Sequence, residues 1–468
     1  MTTETTPGLN SAIEELRAQV RGSLVGPGEA KYDEARHVWN GMIDRRPGII
    51  VRCAGERDVA ATVQAARRHK LPLAVRGGGH NVAGSGVCDG GVVIDLSGMR
   101  KVEVDPAART VRVQGGATLG DIDPATQAHG LAVPVGVVSE TGIAGLALGG
   151  GLGWLRRKYG LTSDNLLSAR VVLADGSAVT ASPEENVDLF WALRGGGGNF
   201  GVVTSFEFRA YPLGPEVTML AVFHPFEEAE RGLRFFREYM ESAPDELSSF
   251  AILGGVPEAE LFPAQAHGRD TLIFAAMWSG DPAEGERVVE PLKNFATPLA
   301  DLSGRWSYLD VQKFFDEDYP AGGRYYWKSQ YLDALTDEGI AALITHAERR
   351  PSKASTVDLW HLGGAIKSVA RDATPVPQRD ARYLIGIEAN WTDPSTDQSN
   401  MAWARDLYAE TQRLSPASIY VNFPGFGEEG EDLVRAAYGD NYTRLTQIKA
   451  KYDPDNLFRI NQNIKPAS

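Results

Sequence analysis

Cysteine is nearly absent from this chain: Cys53 and Cys88 are the only two among 468 residues. A disulfide framework and a thiolate-rich metal site are therefore excluded, which leaves one bridge or two buried thiols. No stretch approaches the roughly twenty consecutive apolar residues that a membrane-spanning helix needs. The N-terminus MTTETTPGLNSAIEELRAQVRGSL lacks the basic head and apolar segment of a secretory signal, so a cytoplasmic location is expected. Basic residues are also short, with 47 Lys and Arg against 61 Asp and Glu and a net charge of −14. Such a chain has no surplus with which to neutralise a nucleic-acid backbone. Its eight histidines show no H-E-x-x-H spacing, and no metal is expected. A G-x-x-x-x-G-K-[ST] phosphate loop and a G-x-S-x-G nucleophile elbow are missing too.

Glycine is plentiful, with 51 residues. Clusters stand at 77–79, 149–151 and 195–198, all in the first half of the chain. That half alternates short apolar runs with helical patterns. GIIVRC (48–53), ERDVAATVQAARRHK (56–70) and LPLAVRG (71–77) read as strand, helix and strand. KVEVDPAARTVRVQGG and ARVVLADGSAVTA read as hairpins. Beyond about residue 213 the texture changes to aromatic-rich strands, such as TLIFAAMW and RYLIGIEANW, alternating with charged helices. The last stretch, from EDLVRAAY onward, is helical and ends in a short tail after Asp453-Pro454. The expectation is an α+β chain of two domains: residues 1–213, an inserted α+β domain at 214–424 with a large antiparallel sheet under helices, and a returning segment at 425–468.

The segment 196-GGGNFG-201 satisfies G-x-G-x-x-G, but it follows a helix and precedes a strand. A dinucleotide fingerprint requires the reverse order, so a nicotinamide site is not expected. In 76-RGGGHNVAGSG-86 the one bulky and nucleophilic side chain, His80, stands among glycines and small residues. Bare loops let backbone N–H groups converge on an anion. Three such clusters in one half-chain point to a large phosphate-bearing cofactor.

RGGGHNVAGSGVCDGGVVIDLS resembles the first FAD loop of the vanillyl-alcohol oxidase / p-cresol methylhydroxylase superfamily, in its berberine bridge enzyme-like branch. PVGVVSETGIAGLALGGGLGWLRRKYGLTSDNLLSARVVLADG is similar to the second loop of that branch. DLFWALRGGGGNFGVVTSFEF is similar to its third element, and NYTRLTQIKAKYDPDNLFRINQNI to its C-terminal signature. The four motifs run in order from about residue 35 to the end, with a flavour of the bacterial 6-hydroxynicotine-oxidase-like type. The resemblance implies a PCMH-type FAD-binding fold and FAD bonded through His80 to the 8α carbon of the isoalloxazine ring. A second, cysteinyl bond of many relatives has Val138 at its position here, which implies attachment through one residue only. The family's oxygen gatekeeper aligns with Thr141, short and β-branched, and this leans toward an oxidase. Flavin contacts carry over to Arg76, Gly77, Gly78, Gly79, Asn81, Ser85 and Gly86. They carry over likewise to Gly142, Gly145, Gly149, Gly150, Gly151, Gly153, Asp164, Asn165, Gly198, Asn199, Val202, Asn461 and Gln462.

On the substrate side, the family's Y-x-N-Y tyrosine base is Phe423 in 420-YVNF-423, while Tyr420 and Asn422 remain. Alternation along 383-YLIGIEANW-391 puts Leu384, Gly386, Glu388 and Asn390 on one face. Glu388 is one candidate base; Lys328, with Gln330 in 326-YWKSQYL-332, matches the family's K-S-[DH] strand. The aromatics Trp306, Tyr308, Tyr325, Tyr326, Trp327 and Trp360 are candidates for a pocket wall. The expected function is oxidation of an alcohol or amine C–H bond, or oxidative cyclisation, of a bulky aromatic or secondary-metabolite-type small molecule. Hydride would pass to the flavin and electrons to O2, giving H2O2. A dehydrogenase with another acceptor, a sugar oxidase and a flavin-loaded binding protein remain as alternatives.

Overall fold

The computed structural model describes residues 8–415, 418–423 and 430–467. The domain boundary expected at 424/425 and the first seven residues of the N-terminus lie outside these. The protein is α+β and is built on three main sheets.

The first sheet has four strands: Ser23–Val25, Ile49–Arg52, Val92–Asp95 and Leu73–Arg76, in that spatial order. Ile49–Arg52 and Leu73–Arg76 each pair in parallel with Val92–Asp95 between them. The strand–helix–strand pattern read over 48–77 is thus present, but its two strands are separated by a third. The helix Glu56–Arg68 buries Val59, Val63 and Ala66 against this sheet. The second sheet is antiparallel, and it contains both hairpins expected from the sequence, Val102–Asp105 with Thr110–Gln114 and Leu166–Val172 with Ala178–Ala181. Strand Val202–Arg209 lies between the hairpins and pairs with one strand of each.

The third sheet has eight antiparallel strands between Glu216 and Trp391. Helices Ala229–Met240, Pro282–Lys293, Asp337–Glu348 and Asp397–Leu414 cover one face. Leu233, Phe236, Val289, Leu292, Ile340, Leu343, Trp403 and Leu407 bury there against Leu359, Ile385 and Ile387. Burying each such side chain contributes about 1.5–3 kcal/mol, so this face is fixed. The other face meets the glycine-rich half: Phe250, Ile252, Trp360 and Leu384 pack with Leu152, Trp154 and Leu155. The period-2 alternation of Tyr383–Trp391 decides what reaches the junction. Ile385, Ile387, Ala389 and Trp391 enter the helix-side core, whereas Leu384 and Glu388 face the glycine loops.

The chain ends by returning to its first half. Lys449, on helix Tyr442–Tyr452, is fully buried and donates to Asp453, to the carbonyl of Asn199 and to that of Phe458. Asn199 in turn accepts from the N–H of Ile464 and donates to the carbonyl of Gln462. The tail 458–464 is thereby held beside the third glycine cluster.

Candidate active site

A long cleft runs along the junction of the two halves. One stretch is walled by backbone from 76–86, 136–149, 197–203 and 458–462; the other is walled by side chains of the large sheet and of 420–423.

The glycine stretch is built by close approach of main chains. A Cβ on Gly78 would lie 2.5 Å from the amide nitrogen of Gly142, and a Cβ on Gly142 would lie 2.3 Å from that of Gly78. Neither loop tolerates a side chain at the crossing. Gly79 has φ of +71°, a left-handed conformation that favours glycine. Gly149 leaves room for Asn422, whose Oδ1 would sit 2.0 Å from an added Cβ.

His80 projects from this wall. Its ring stacks on Trp39 at 4.1 Å between centroids, and Trp39 stacks in turn on Tyr325 at 3.8 Å. Trp39 is fixed by its amide donating to the Gly79 carbonyl and by its Nε1 donating to the Tyr319 carbonyl. The Nε2 of His80 is buried without a hydrogen-bond partner. Burial holds the imidazole down at about 4, opposed only by a bond to its own backbone, so the ring is neutral at ordinary pH. A neutral imidazole with a free lone pair is a nucleophile and a ligand, which a protonated one is not. Arg76 lines the cleft, but its guanidinium is committed to Asp95 at 2.8 Å and to the carbonyls of Ala35 and His37.

At the far stretch Glu388 is 2% exposed, with Trp327, Trp360, Tyr319 and Phe423 also lining the cleft. The Tyr319 hydroxyl donates to Glu388 Oε2 at 2.7 Å. Asp358 lies one strand over, its backbone paired with Gly386. Burial, then the charge of Asp358, then that of Asp318 push the Glu388 carboxyl well above its usual range, against the Tyr319 hydrogen bond. Tyr420 accepts from the Gly151 amide at 3.2 Å and from Asn422 Nδ2 at 2.9 Å. Burial pushes its phenol up to about 12, which makes it a support for the second glycine loop and a poor base.

Of the expected contacts, Arg76, Gly77, Gly78, Gly79, His80, Asn81, Ser85, Gly86, Gly142, Gly145, Gly149, Gly198, Val202, Asn461 and Gln462 line the cleft. Glu388, Tyr420, Asn422, Val138 and Thr141 do so as well. Gly150, Gly151, Gly153, Asp164, Asn165 and Asn199 stand behind the wall. A Cβ on Gly151 would meet Thr162 at 2.3 Å, and one on Gly153 would meet the Val135 carbonyl at 1.6 Å. Asp164 holds Arg379 of the V-P-Q-R turn through two bonds, at 2.7 and 2.8 Å. Asn165 caps the carbonyls of Tyr159 and Leu161.

Lys328 is not brought to the cleft. Trp327 is the residue paired with Glu388, so Lys328 points to the helix-covered face, with its Nζ 4.7 Å from the Tyr408 ring. Of the aromatics, Trp327 and Trp360 line the cleft and Tyr325 backs Trp39, while Tyr326 faces Arg405. Trp306 and Tyr308 pack into the core at the domain junction. Sequence reading missed Trp39, Tyr319 and Asp358, which no motif marks. Neither cysteine lines the cleft; both are buried elsewhere.

Comparison with known proteins bears on this geometry. Residues 47–182 match the family model described as FAD binding domain, and residues 419–465 match the one described as berberine and berberine like. An FAD-linked oxidoreductase of Dictyostelium discoideum is 30% identical over 466 residues, covering 98% of each chain. The chain belongs to the berberine bridge enzyme-like FAD-linked oxidoreductases. Within this family, the (R)-6-hydroxynicotine oxidase of Paenarthrobacter nicotinovorans is 31% identical over 96% of this chain and 97% of its own. The crystal structure of 6-hydroxy-D-nicotine oxidase from Arthrobacter nicotinovorans is similar at a TM-score of 0.85 and 28% identity, covering 96% of this chain and 98% of that one. The glucooligosaccharide oxidase of Acremonium strictum shares the fold at a TM-score of 0.87 and 24% identity, over 98% of this chain and 100% of its own. The fold is thus the PCMH-type FAD-binding fold, and the protein is an FAD-dependent oxidoreductase. The crossing glycines fit a wall along which a large phosphate-bearing cofactor lies against main chain. Among the described residues no helix is long and apolar enough to cross a membrane.

Proposed function

We propose that this oxidoreductase carries FAD bonded through His80 alone and oxidises an amine or alcohol C–H bond of a bulky aromatic small molecule, with O2 as acceptor. The observation that carries the reading is His80: neutral, clamped by Trp39, and with a buried ring nitrogen that has no partner. The relative from Acremonium strictum is described with a 6-S-cysteinyl, 8α-N1-histidyl FAD. Here Val138 stands in the wall and cannot form a thioether, which supports attachment through the histidine only. The chemistry that bound FAD would supply is acceptance of a hydride from the substrate carbon and onward passage of its electrons.

The chain's own residues divide the remaining work. Gly77, Gly78, Gly79, Gly142, Gly145, Gly149 and Gly198, with Asn461 and Gln462, would hold the cofactor. Glu388 receives the proton that leaves the substrate's N–H or O–H, with Tyr319 holding the carboxylate in place. Tyr420 and Asn422 order the second loop against the substrate wall. Trp327, Trp360 and Phe423 exclude water and select an apolar, flat substrate.

Acid precipitation of the yellow protein beside His80→Ala tests this. Flavin is expected to pellet with the wild type and to stay in solution with the variant. Wild-type flavin that washes out would overturn the covalent assignment. Photoreduced enzyme exposed to air is expected to recolour within seconds if O2 is the acceptor.

A further inference from the structure

His80 is held by ring faces rather than by hydrogen bonds. A histidine that must present one ring nitrogen is ordinarily oriented through the other, by a carboxylate or a backbone carbonyl. Here Nε2 has no partner. Burial and a bond to its own backbone are what bear on the charge of the ring, and no charged side chain does. What the imidazole has is Trp39, nearly parallel to it at 18°, with 4.1 Å between centroids. The indole stacks in turn on Tyr325 at 11° and 3.8 Å, and Trp327 stands edge-on to it at 5.4 Å.

Both halves of the chain keep the indole there. The Trp39 amide donates to the carbonyl of Gly79, next to His80, and the Trp39 carbonyl accepts from the Gly322 amide at 2.8 Å. Its Nε1 donates to the Tyr319 carbonyl at 2.9 Å. Asn40 is fully buried and donates to the carbonyls of Val82 and Tyr325, at 2.7 and 2.9 Å. Gly41 passes so near the same turn that an added Cβ would lie 2.2 Å from the Gly322 carbonyl oxygen. Residues 39–41 therefore bracket the His80 loop to the turn before strand Arg324–Leu332. The side chain this bracket presents to His80 is an aromatic face.

We propose that Trp39 is the positioning residue for attachment of the cofactor to His80: its indole fixes the plane of the imidazole and stabilises the positive charge that the ring acquires as it bonds. This rests on the His80 attachment already proposed. In that step a ring nitrogen of His80 gives its lone pair to the 8α carbon, forming the N–C bond. One 8α C–H bond and the imidazole N–H bond break, and both protons leave. The electron pair of the C–H bond stays with the cofactor until O2 takes it, with two protons, as H2O2. Until the N–H proton has left, His80 carries an imidazolium charge, where burial opposes charge and no carboxylate answers it. Among aromatic side chains the indole face attracts a cation most strongly; phenylalanine keeps a weaker face and leucine has none.

Protein made in riboflavin-starved cells would be purified and given FAD. The covalent fraction would be followed by intact mass and by flavin held in the acid pellet. Trp39→Leu is expected to turn yellow on binding FAD but to attach it at least about tenfold more slowly than wild type. Trp39→Phe is expected to stay within about threefold of wild type, rescued by its ring. Tyr325→Leu leaves every hydrogen bond of Trp39 in place and is expected to slow attachment about threefold. A wild-type rate in Trp39→Leu overturns the inference. So does an equal loss in Trp39→Leu and Trp39→Phe, because the aromatic face would then not be what counts. Should Trp39→Leu take up no FAD, Tyr325→Leu decides: slowed attachment supports the stack, and a wild-type rate overturns it. Failure of the His80 attachment itself looks different, for wild-type flavin then washes out of the acid pellet and both claims fall.

Discussion

The two stretches of the cleft are made of different material. The wall proposed to hold the cofactor is mostly backbone, where glycines at 77–79 and 142–149 let two main chains touch, and the side chain proposed to react from it is His80. The substrate wall is all side chain, acids and aromatics standing on a sheet whose other face is locked by four helices. A backbone wall tolerates sequence change outside its glycines, because main chain presents the same donors whatever the sequence. A side-chain wall can change without disturbing the sheet beneath it. The comparison teaches that the first wall should fail outright when altered and the second in degrees.

The largest expected effect follows from that. Gly142→Val inserts atoms where 2.3 Å separates an added Cβ from the neighbouring amide, so the loops must part. Purified variant is expected to hold less than a tenth of the wild-type flavin, read from its visible absorbance. Full flavin content would show that this wall, too, yields to a side chain in degrees. Next comes Glu388→Gln, which keeps volume and removes the proposed proton acceptor. Flavin reduction by an amine or alcohol that supports turnover is expected to slow by about 10²–10⁴-fold, with the flavin spectrum retained.

A smaller effect concerns the join between the halves. Asp123 is fully buried, accepts from Gln312 at 2.9 Å, and is raised to about 7, by burial first. A carboxyl raised on folding contributes its full stability below the unfolded value near 3.9 and loses it as pH rises through the folded one. The wild type should therefore lose up to about 4 kcal/mol from this group between pH 4 and pH 8. Asp123→Asn should flatten that part of the curve in denaturant titrations at the two pH values. An unchanged pH slope would mean that the carboxyl is not held neutral at the join. The smallest effect is expected at Lys328. Lys328→Met alters the helix-covered face, so flavin reduction should stay within about twofold of wild type. A loss matching that of Glu388→Gln would mean that the two faces of the sheet are not independent.

Much of the glycine-lined side of the cleft was legible in the sequence, since loops rich in glycine with one histidine announce close main-chain contact. Both hairpins followed from turn residues, and the grouping of Leu384, Gly386, Glu388 and Asn390 on one face from simple alternation. Lys328 was misplaced for a physical reason. Alternation within a strand tells which residues share a face, but only the register between strands tells which face that is. With Trp327 opposite Glu388, Lys328 falls on the wrong side. Tyr319 and Trp39 were invisible because their partners lie far along the chain: Trp39 reports to Tyr319, and Tyr319 to Glu388. The segment carrying Tyr319 is tied down through Gln312 to Asp123 and through Asp316 to the amide of Ser139 at 2.7 Å. No local pattern records such ties. Asp164, Asn165 and Asn199 teach the converse, for motif residues that match a cofactor loop can serve by holding that loop from behind.

The returning tail sets a schedule for the protein's birth. Phe458, Ile460, Asn461 and Gln462 complete a wall whose other parts are translated hundreds of residues earlier. A ribosome that has finished the whole glycine-rich half has still not made a finished socket. Flavin uptake is then expected to wait until residues 458–462 have docked, and a chain cut before helix Tyr442–Tyr452 is expected to emerge colourless. A bound cofactor would then certify that the segment 442–462 had been made and had docked.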